Sequence, residues 1–303
     1  MNKNILITGG TGFIGKYLTK MLLDKGYTVS ILTRNSKPNE EGITYYVWDV
    51  SARSIDEEAV LRADYIIHLA GENIAEKRWT TKRKAEIIDS RTLSAQLIYT
   101  VLKKHNKRIE AFISASGIGI YGALNGEGIC TENTLPGNDF VGITCQKWEK
   151  TADLFAGLGI RTVKIRTGLV LGKNGGLLKK LAPIFKAGLG SALGSGKQYM
   201  PWIHIFDLCA IYLEAIENKN MLGAYNATIN DSTTNSSFSR LLAREYGYFI
   251  WLPNMPAFVL RLILGEMATA VLAGRRVSSD KIKSLGFRFK FKNLKKALMD
   301  CVK

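Results

Sequence analysis

Four cysteines in 303 residues, Cys130, Cys145, Cys209 and Cys301, form no CxxC pair and no metal-ligand spacing. That absence excludes a disulfide framework and a structural zinc site, and the thiols read as reduced, with no metal expected. No cleavable leader is visible, because Met1-Asn2-Lys3-Asn4 runs straight into the apolar ILIT, and the expected compartment is the cytoplasm. The longest apolar run, from Met255 to Gly274, is interrupted by Arg261 and Glu266 and begins beside Pro256. It predicts a packed amphipathic helix and no membrane partner. There is no internal repeat and no low-complexity tract.

Acidic residues are scarce: 26 Asp and Glu stand against 42 Lys and Arg, a formal charge of +16. Ten of those bases, against two acids, fall between Arg275 and Lys303. A basic excess of this size suits phosphate-rich partners, but no recognition-helix or RNA-binding signature accompanies it. A solvated basic surface is the better reading, and nucleic acid is not an expected partner.

What is present is a chain 46% hydrophobic and long enough for a full-size core. Short Ile-, Val- and Tyr-rich runs at 5–8, 28–32, 43–48, 65–69, 111–114 and 162–165 read as strands buried on both faces. Helical periodicity lies between them at 13–25, 56–61, 81–104 and 139–156. Alternation of this kind predicts an α/β, Rossmann-like, doubly wound parallel sheet. After about residue 166 the rhythm loosens into glycine-rich connections at 172–176 and 188–196. The expected division is a nucleotide-binding domain over 1–170 and a smaller, partly helical substrate-side subdomain over 171–303. The latter includes a C-terminal extension over 253–303, and the two parts interleave as one compact unit.

The segment TGGTGFIG at 8–15 follows a predicted strand and opens a predicted helix, the context in which a glycine pattern becomes a dinucleotide signal. Gly9 allows a tight turn, Gly12 lets backbone approach a pyrophosphate, and Gly15 lets helix and strand pack closely. Thr11, Phe13 and Ile14 complete the loop at the helix N-terminus, where free N–H groups and the helix dipole favour phosphate. The second strand ends Leu32-Thr33-Arg34-Asn35-Ser36. Arg34 there suits the 2′-phosphate of NADP, whereas an acid would favour NAD, so NADP is expected with NAD as the alternative. Asp49, after the third strand, either meets the adenine or caps the strand end.

With these segments the chain resembles the extended short-chain dehydrogenase/reductase superfamily, the group of nucleotide-sugar epimerases and dehydratases. The resemblance is carried by TGGTGFIG, HLAG at 68–71, SASGIGIYG at 114–122, KIRTGLVLG at 164–172 and WIHIFD at 202–207. GENIAEKRWT at 71–80 and the tail over 255–298 are similar to an atypical subgroup of epimerase-family proteins with their own C-terminal extension. The resemblance implies further cofactor contacts at Leu69, Ala70, Gly71, Ser114 and Arg166. It also implies a small-molecule substrate such as a nucleotide sugar, and a monomer or homodimer.

The superfamily's hydride chemistry uses a Tyr as proton carrier, a Lys four residues later that lowers its pKa, and a Ser that holds the substrate oxygen. The resemblance places the Tyr and Lys near 145 and 149, where this sequence has Cys145 and Glu149. These are i and i+4 on a helix, so the geometry persists while both chemical identities change. A carboxylate beside a thiol raises its pKa, so nothing activates Cys145. Lys150 is displaced by about 100° around the helix. Ser116 matches the substrate-oxygen Ser, with Ser114 as the other candidate, and Tyr121 is a surrogate acid or a pocket wall. Trp202 and His204 are candidate substrate contacts, His204 being either a general base or a buried, hydrogen-bonded side chain. Arg78, Trp79 and Arg91 could together bind an anionic or nucleotide substrate, although salt bridges would also account for the arginines. The expected protein is an NADP-binding atypical dehydrogenase/reductase, a sugar-nucleotide epimerase or oxidoreductase without the usual pair; the alternative is a non-catalytic NADP-dependent sensor.

Overall fold

The computed structural model describes residues 3–302. Strands β1 (Asn4–Thr8), β2 (Thr28–Thr33), β3 (Ile43–Asp49), β4 (Ser54–Ile55), β5 (Tyr65–His68), β6 (Ala111–Gly117), β8 (Arg161–Thr167) and β12 (Gly223–Ala227) build one sheet. Its order is β12-β8-β6-β5-β1-β2-β3-β4, parallel throughout except for β4, which runs against β3. The six strands expected from sequence are all in it. A smaller sheet joins β10 (Gly175–Gly176), β9 (Leu169–Gly172) and β11 (Trp202–His204), and β7 (Ile129–Cys130) pairs with β13 (Arg276–Val277).

The uninterrupted ILI of β1 follows from burial on both faces. Ile5 and Ile7 pack with Leu18 and Leu22 of α1 (Phe13–Asp24) and Leu208 and Ile211 of α6 (Ile205–Glu217). Leu6 points the other way, into a cluster with Val60 of α2 (Glu57–Leu61), Ile98 and Val101 of α3 (Thr81–Lys104), and Phe155 of α4 (Phe140–Ala156). Burying such a side chain contributes about 1.5–3 kcal/mol, so neither face accepts a polar residue cheaply.

Later segments return to the first sheet. β12 extends it beside β8, and α6 lies on α1. Helices α5 (Leu178–Lys186), α7 (Asn235–Glu245), α10 (Asp280–Ser284) and α11 (Leu294–Val302) complete this half with α8 (Ala257–Leu264) and α9 (Ala268–Leu272). The basic tail is stitched into the fold. Asp207 at the start of α6 accepts the backbone N–H groups of Lys290 (2.7 Å) and Phe291 (2.9 Å), and the Phe291 ring stacks on His204 at 3.8 Å.

The stretch from 255 to 274 is not the single packed helix its composition suggests. It divides into α8 and α9 at a turn where Gly265 takes φ +61, a backbone region that side-chain-bearing residues rarely enter. Of α8 only Leu260 is buried, while Phe258 and Leu262 remain 70% and 74% exposed. Among the described residues no helix is long and apolar enough to cross a membrane.

Candidate functional site

At the end of β1 the backbone turns through Gly9, at φ +70, and donates Gly12 N–H to the Gly9 carbonyl at 3.0 Å. Glycine is required here by contact as well as by angle. A Cβ on Gly9 would lie 3.0 Å from the Leu69 carbonyl carbon, and one on Gly15 would sit 2.5 Å from Gly10 Cα. The loop over Leu69, Ala70 and Gly71 is held alongside, with Ala70 N–H donating to Thr8 Oγ1 at 3.1 Å. α1 starts without a side-chain cap and without an acid in its first turn, an end that, with exposed Thr11 beside it, suits an anion.

The Phe13 ring covers the hairpin joining β9 and β10, where a Cβ on Gly172 would lie 2.7 Å from it. The glycines at 172, 175 and 176 therefore provide the flat surface on which Phe13 lies at the mouth of the loop. Ile14 packs against the core below. Arg34, just beyond β2, is 86% exposed at its side chain, with Glu72 at 3.9 Å opposite. Asp49 turns back on its own chain, accepting from Ser51 N–H and Ala52 N–H at 2.8 and 3.0 Å. Those bonds, the Ser51 hydroxyl foremost, lower its pKa and fit the strand-end cap.

On the substrate side, Cys145 and Glu149 do share one buried face of α4, and Lys150 is exposed. The Glu149 carboxylate is held by Arg166 in a two-pronged pair, Nε to Oε1 at 2.8 Å and Nη2 to Oε2 at 2.9 Å. Ser116 Oγ donates to Oε1 at 2.7 Å. Arg166 Nη1 donates to Tyr121 Oη at 3.1 Å and to the Glu132 carbonyl at 3.0 Å, while Tyr121 donates to Asn226 Oδ1 at 2.6 Å. Arg166, expected at the cofactor, thus has every guanidinium nitrogen engaged within the protein. Burial opposes its charge, but the Glu149 carboxylate outweighs this and holds its pKa above the ordinary value.

Two candidate proton carriers, Cys145 and Tyr121, are moved further from neutrality. Burial, with Glu149 second, pushes the Cys145 thiol up to about 12. Burial likewise raises Tyr121 to about 12, against the pull of Arg166 and Asn226. Ser114 donates to the Ala115 carbonyl at 2.9 Å. Beneath HLAG, the His68 ring accepts from Trp148 Nε1 (3.5 Å) at Nδ1 and meets Ser94 Oγ at 2.8 Å. Complete burial, then Arg91, lowers its pKa to about 3.

Arg78, Trp79 and Arg91 each engage a different partner. Arg78 reaches the Leu262 carbonyl, Arg91 lies over the Trp148 ring at 4.9 Å, and Trp79 packs edge-on against Phe140 at 4.8 Å. Trp202 is fully buried, its indole N–H on Asp231 at 2.8 Å. His204 caps α6, accepting Phe206 N–H, and its Nε2 lies 3.2 Å from Asp300 Oδ2 but out of line for a hydrogen bond. A cavity of about 230 Å³ opens beside Tyr121, lined by Trp79, Phe140 and Val141 and by Ala270 of α9 and Ala273 just beyond it.

The model of the NAD dependent epimerase/dehydratase family matches residues 5–228. The chain belongs to that family. A second model, a domain of unknown function (DUF1731), matches residues 255–301, the tail that walls the cavity. The epimerase family protein YfhF of Bacillus subtilis is 34% identical over 300 residues, covering 99% of this chain and 98% of its own. Among solved structures, the human epimerase family protein SDR39U1 with NADPH superposes with a TM-score of 0.88 at 30% identity, covering 99% of both chains. UDP-glucose 4-epimerase from Thermotoga maritima shares the fold, with a TM-score of 0.78 at 21% identity, covering 99% of this chain and 97% of its own. In its Rossmann-like sheet TGGTGFIG and the loop over 69–71 lie side by side, beyond the ends of β1 and β5.

Sequence reasoning missed Asn226, Glu132 and the α9 wall. A signal for one further partnership was available: a buried Glu149 needs a cation, and Arg166 sits in the quoted KIRTG segment.

Proposed function

We propose that this family member binds NADP(H) and uses it without the phenol–lysine relay, its retained capability being cofactor-dependent binding at the Tyr121 cavity, as in a sensor. The observation that carries this reading is the closed network of Ser116, Glu149, Arg166, Tyr121 and Asn226, which fills the place of the proton relay with a buried ion pair. The glycine contacts and the uncapped α1 suit a pyrophosphate, Arg34 suits a 2′-phosphate, and the NADPH in the SDR39U1 structure agrees with both. When bound, the cofactor supplies a hydride. The protein's residues then hold the neighbouring oxygen and nitrogen atoms fixed, with the Cys145 and Tyr121 protons held tightly by burial.

A nucleotide-sugar epimerase or oxidoreductase is the second reading, favoured by the cavity beside Tyr121. Fluorescence titration with NADPH and NADH separates cofactor preference: NADPH should bind at least tenfold tighter, and Arg34→Ala should remove the difference. Equal binding of both by the unmodified protein overturns the NADP assignment. When UDP-glucose is added to the NADP-loaded protein, neither the nicotinamide absorbance nor the sugar's C4 configuration, followed by chromatography, should change. Sustained turnover there overturns the sensor reading.

A further inference from the structure

The cavity beside Tyr121 has a chemistry that differs from a nucleotide-sugar site. Four aromatic side chains, Trp79, Tyr121, Phe140 and Tyr199, line it together with aliphatic ones such as Ile118, Leu124, Val141 and Leu169. The polar side-chain atoms of Trp79, Tyr199 and Thr269 are already engaged within the protein. Trp79 Nε1 donates to the Ile74 carbonyl at 2.8 Å, Tyr199 Oη to Glu127 at 2.7 Å, and Thr269 Oγ1 to the Glu266 carbonyl at 2.8 Å.

The charges in the lining are two carboxylates and one guanidinium. Asp139 accepts Gly142 N–H at 2.8 Å as the cap of α4 and also accepts Ala123 N–H at 2.5 Å. Glu266 is paired with Lys84 at 2.5 Å. Arg275 has its Nε on the Asn125 carbonyl at 3.0 Å. A diphosphate needs several unengaged donors or cations to replace its water, and this wall presents a carboxylate excess. The tail fixes that wall, since Gly274 N–H donates to the Leu124 carbonyl at 3.0 Å and Tyr199 N–H to the Gly274 carbonyl at 3.3 Å.

We infer that this cavity takes a small, uncharged, mainly apolar compound of one or two rings and excludes nucleoside-diphosphate sugars. At about 230 Å³ it lies below the ~300–1,000 Å³ of pockets that hold drug-sized ligands. Ala270 and Ala273, which the C-terminal tail contributes, leave the room for that ring. This inference rests on reading the cavity as the ligand side of the cofactor site.

The test is isothermal calorimetry on the full chain loaded with NADPH, with 2-acetonaphthone as the neutral bicyclic probe and UDP-glucose as the comparison. The naphthone should bind at least tenfold tighter than UDP-glucose. Ala270→Trp, which fills the cavity from the tail, should abolish naphthone binding and leave NADPH binding unchanged. Equal or tighter binding of UDP-glucose, no binding of the naphthone, or naphthone binding indifferent to Ala270→Trp each overturns the inference. Should Ala270→Trp also weaken NADPH binding, Ala273→Leu carries the same expectation with less added volume, and its result decides. Failure of the cofactor reading shows separately, as absence of NADPH binding in the unmodified protein before any probe is added.

Discussion

Replacing Glu149 with Gln keeps the shape of the side chain and removes its charge, which isolates the ion pair. The side chains of Glu149 and Arg166 are 8% and 9% exposed, so the guanidinium left behind has little water to solvate it. One amide nitrogen must also face an Arg166 or Ser116 donor. Breaking a buried pair by removing one partner costs about 3–5 kcal/mol, a large share of the ~5–15 kcal/mol that holds a folded domain. The double variant Glu149→Leu with Arg166→Met leaves no buried charge, but Ser116 and Tyr121 lose partners at about 1–3 kcal/mol each. It should therefore be less destabilised than the sum of the two single changes, with a coupling of about 2 kcal/mol or more. Guanidinium unfolding followed by far-ultraviolet circular dichroism measures each value. A loss below about 1 kcal/mol for Glu149→Gln, together with additive effects in the cycle, would refute the claim that a buried ion pair occupies the relay position.

His68 gives a pH test. Its folded pKa of about 3 lies below the unfolded value of about 6.5, so the unfolded chain binds the extra proton first. Its contribution is full above pH 6.5 and is lost as pH falls from there towards 3, at up to about 1.4 kcal/mol per pH unit. His68→Asn should lower that slope by about one proton in pH-dependent unfolding, and an unchanged slope would assign the loss to other groups. Gly15→Ala places a methyl 2.5 Å from Gly10 Cα. It should destabilise the protein by about 1–3 kcal/mol and weaken NADPH binding in the fluorescence titration, whereas wild-type affinity would show that the loop yields.

The fold was legible because its signals are local. Both-face burial makes the strands read as continuous apolar runs, and the helix that follows TGGTGFIG is set by spacing and by glycines whose missing Cβ atoms the packing demands. The placement of Cys145 and Glu149 on one face came from helical spacing alone. The break at Gly265 did not, because apolar composition does not reveal whether a segment finds a surface to cover.

The sequence by itself determined the doubly wound sheet, the glycine turn after β1 and the shared helical face of Cys145 and Glu149. Only the tertiary structure decided what those two residues meet. Arg166 is 17 residues from Glu149, and Tyr121 is 105 from Asn226, separations across which no periodicity carries information. The same holds for the cavity wall, which joins Trp79 to Ala270. Charge pairing and cavity shape arise where distant segments meet, because burial makes each polar group depend on whichever partner the fold brings within hydrogen-bond reach.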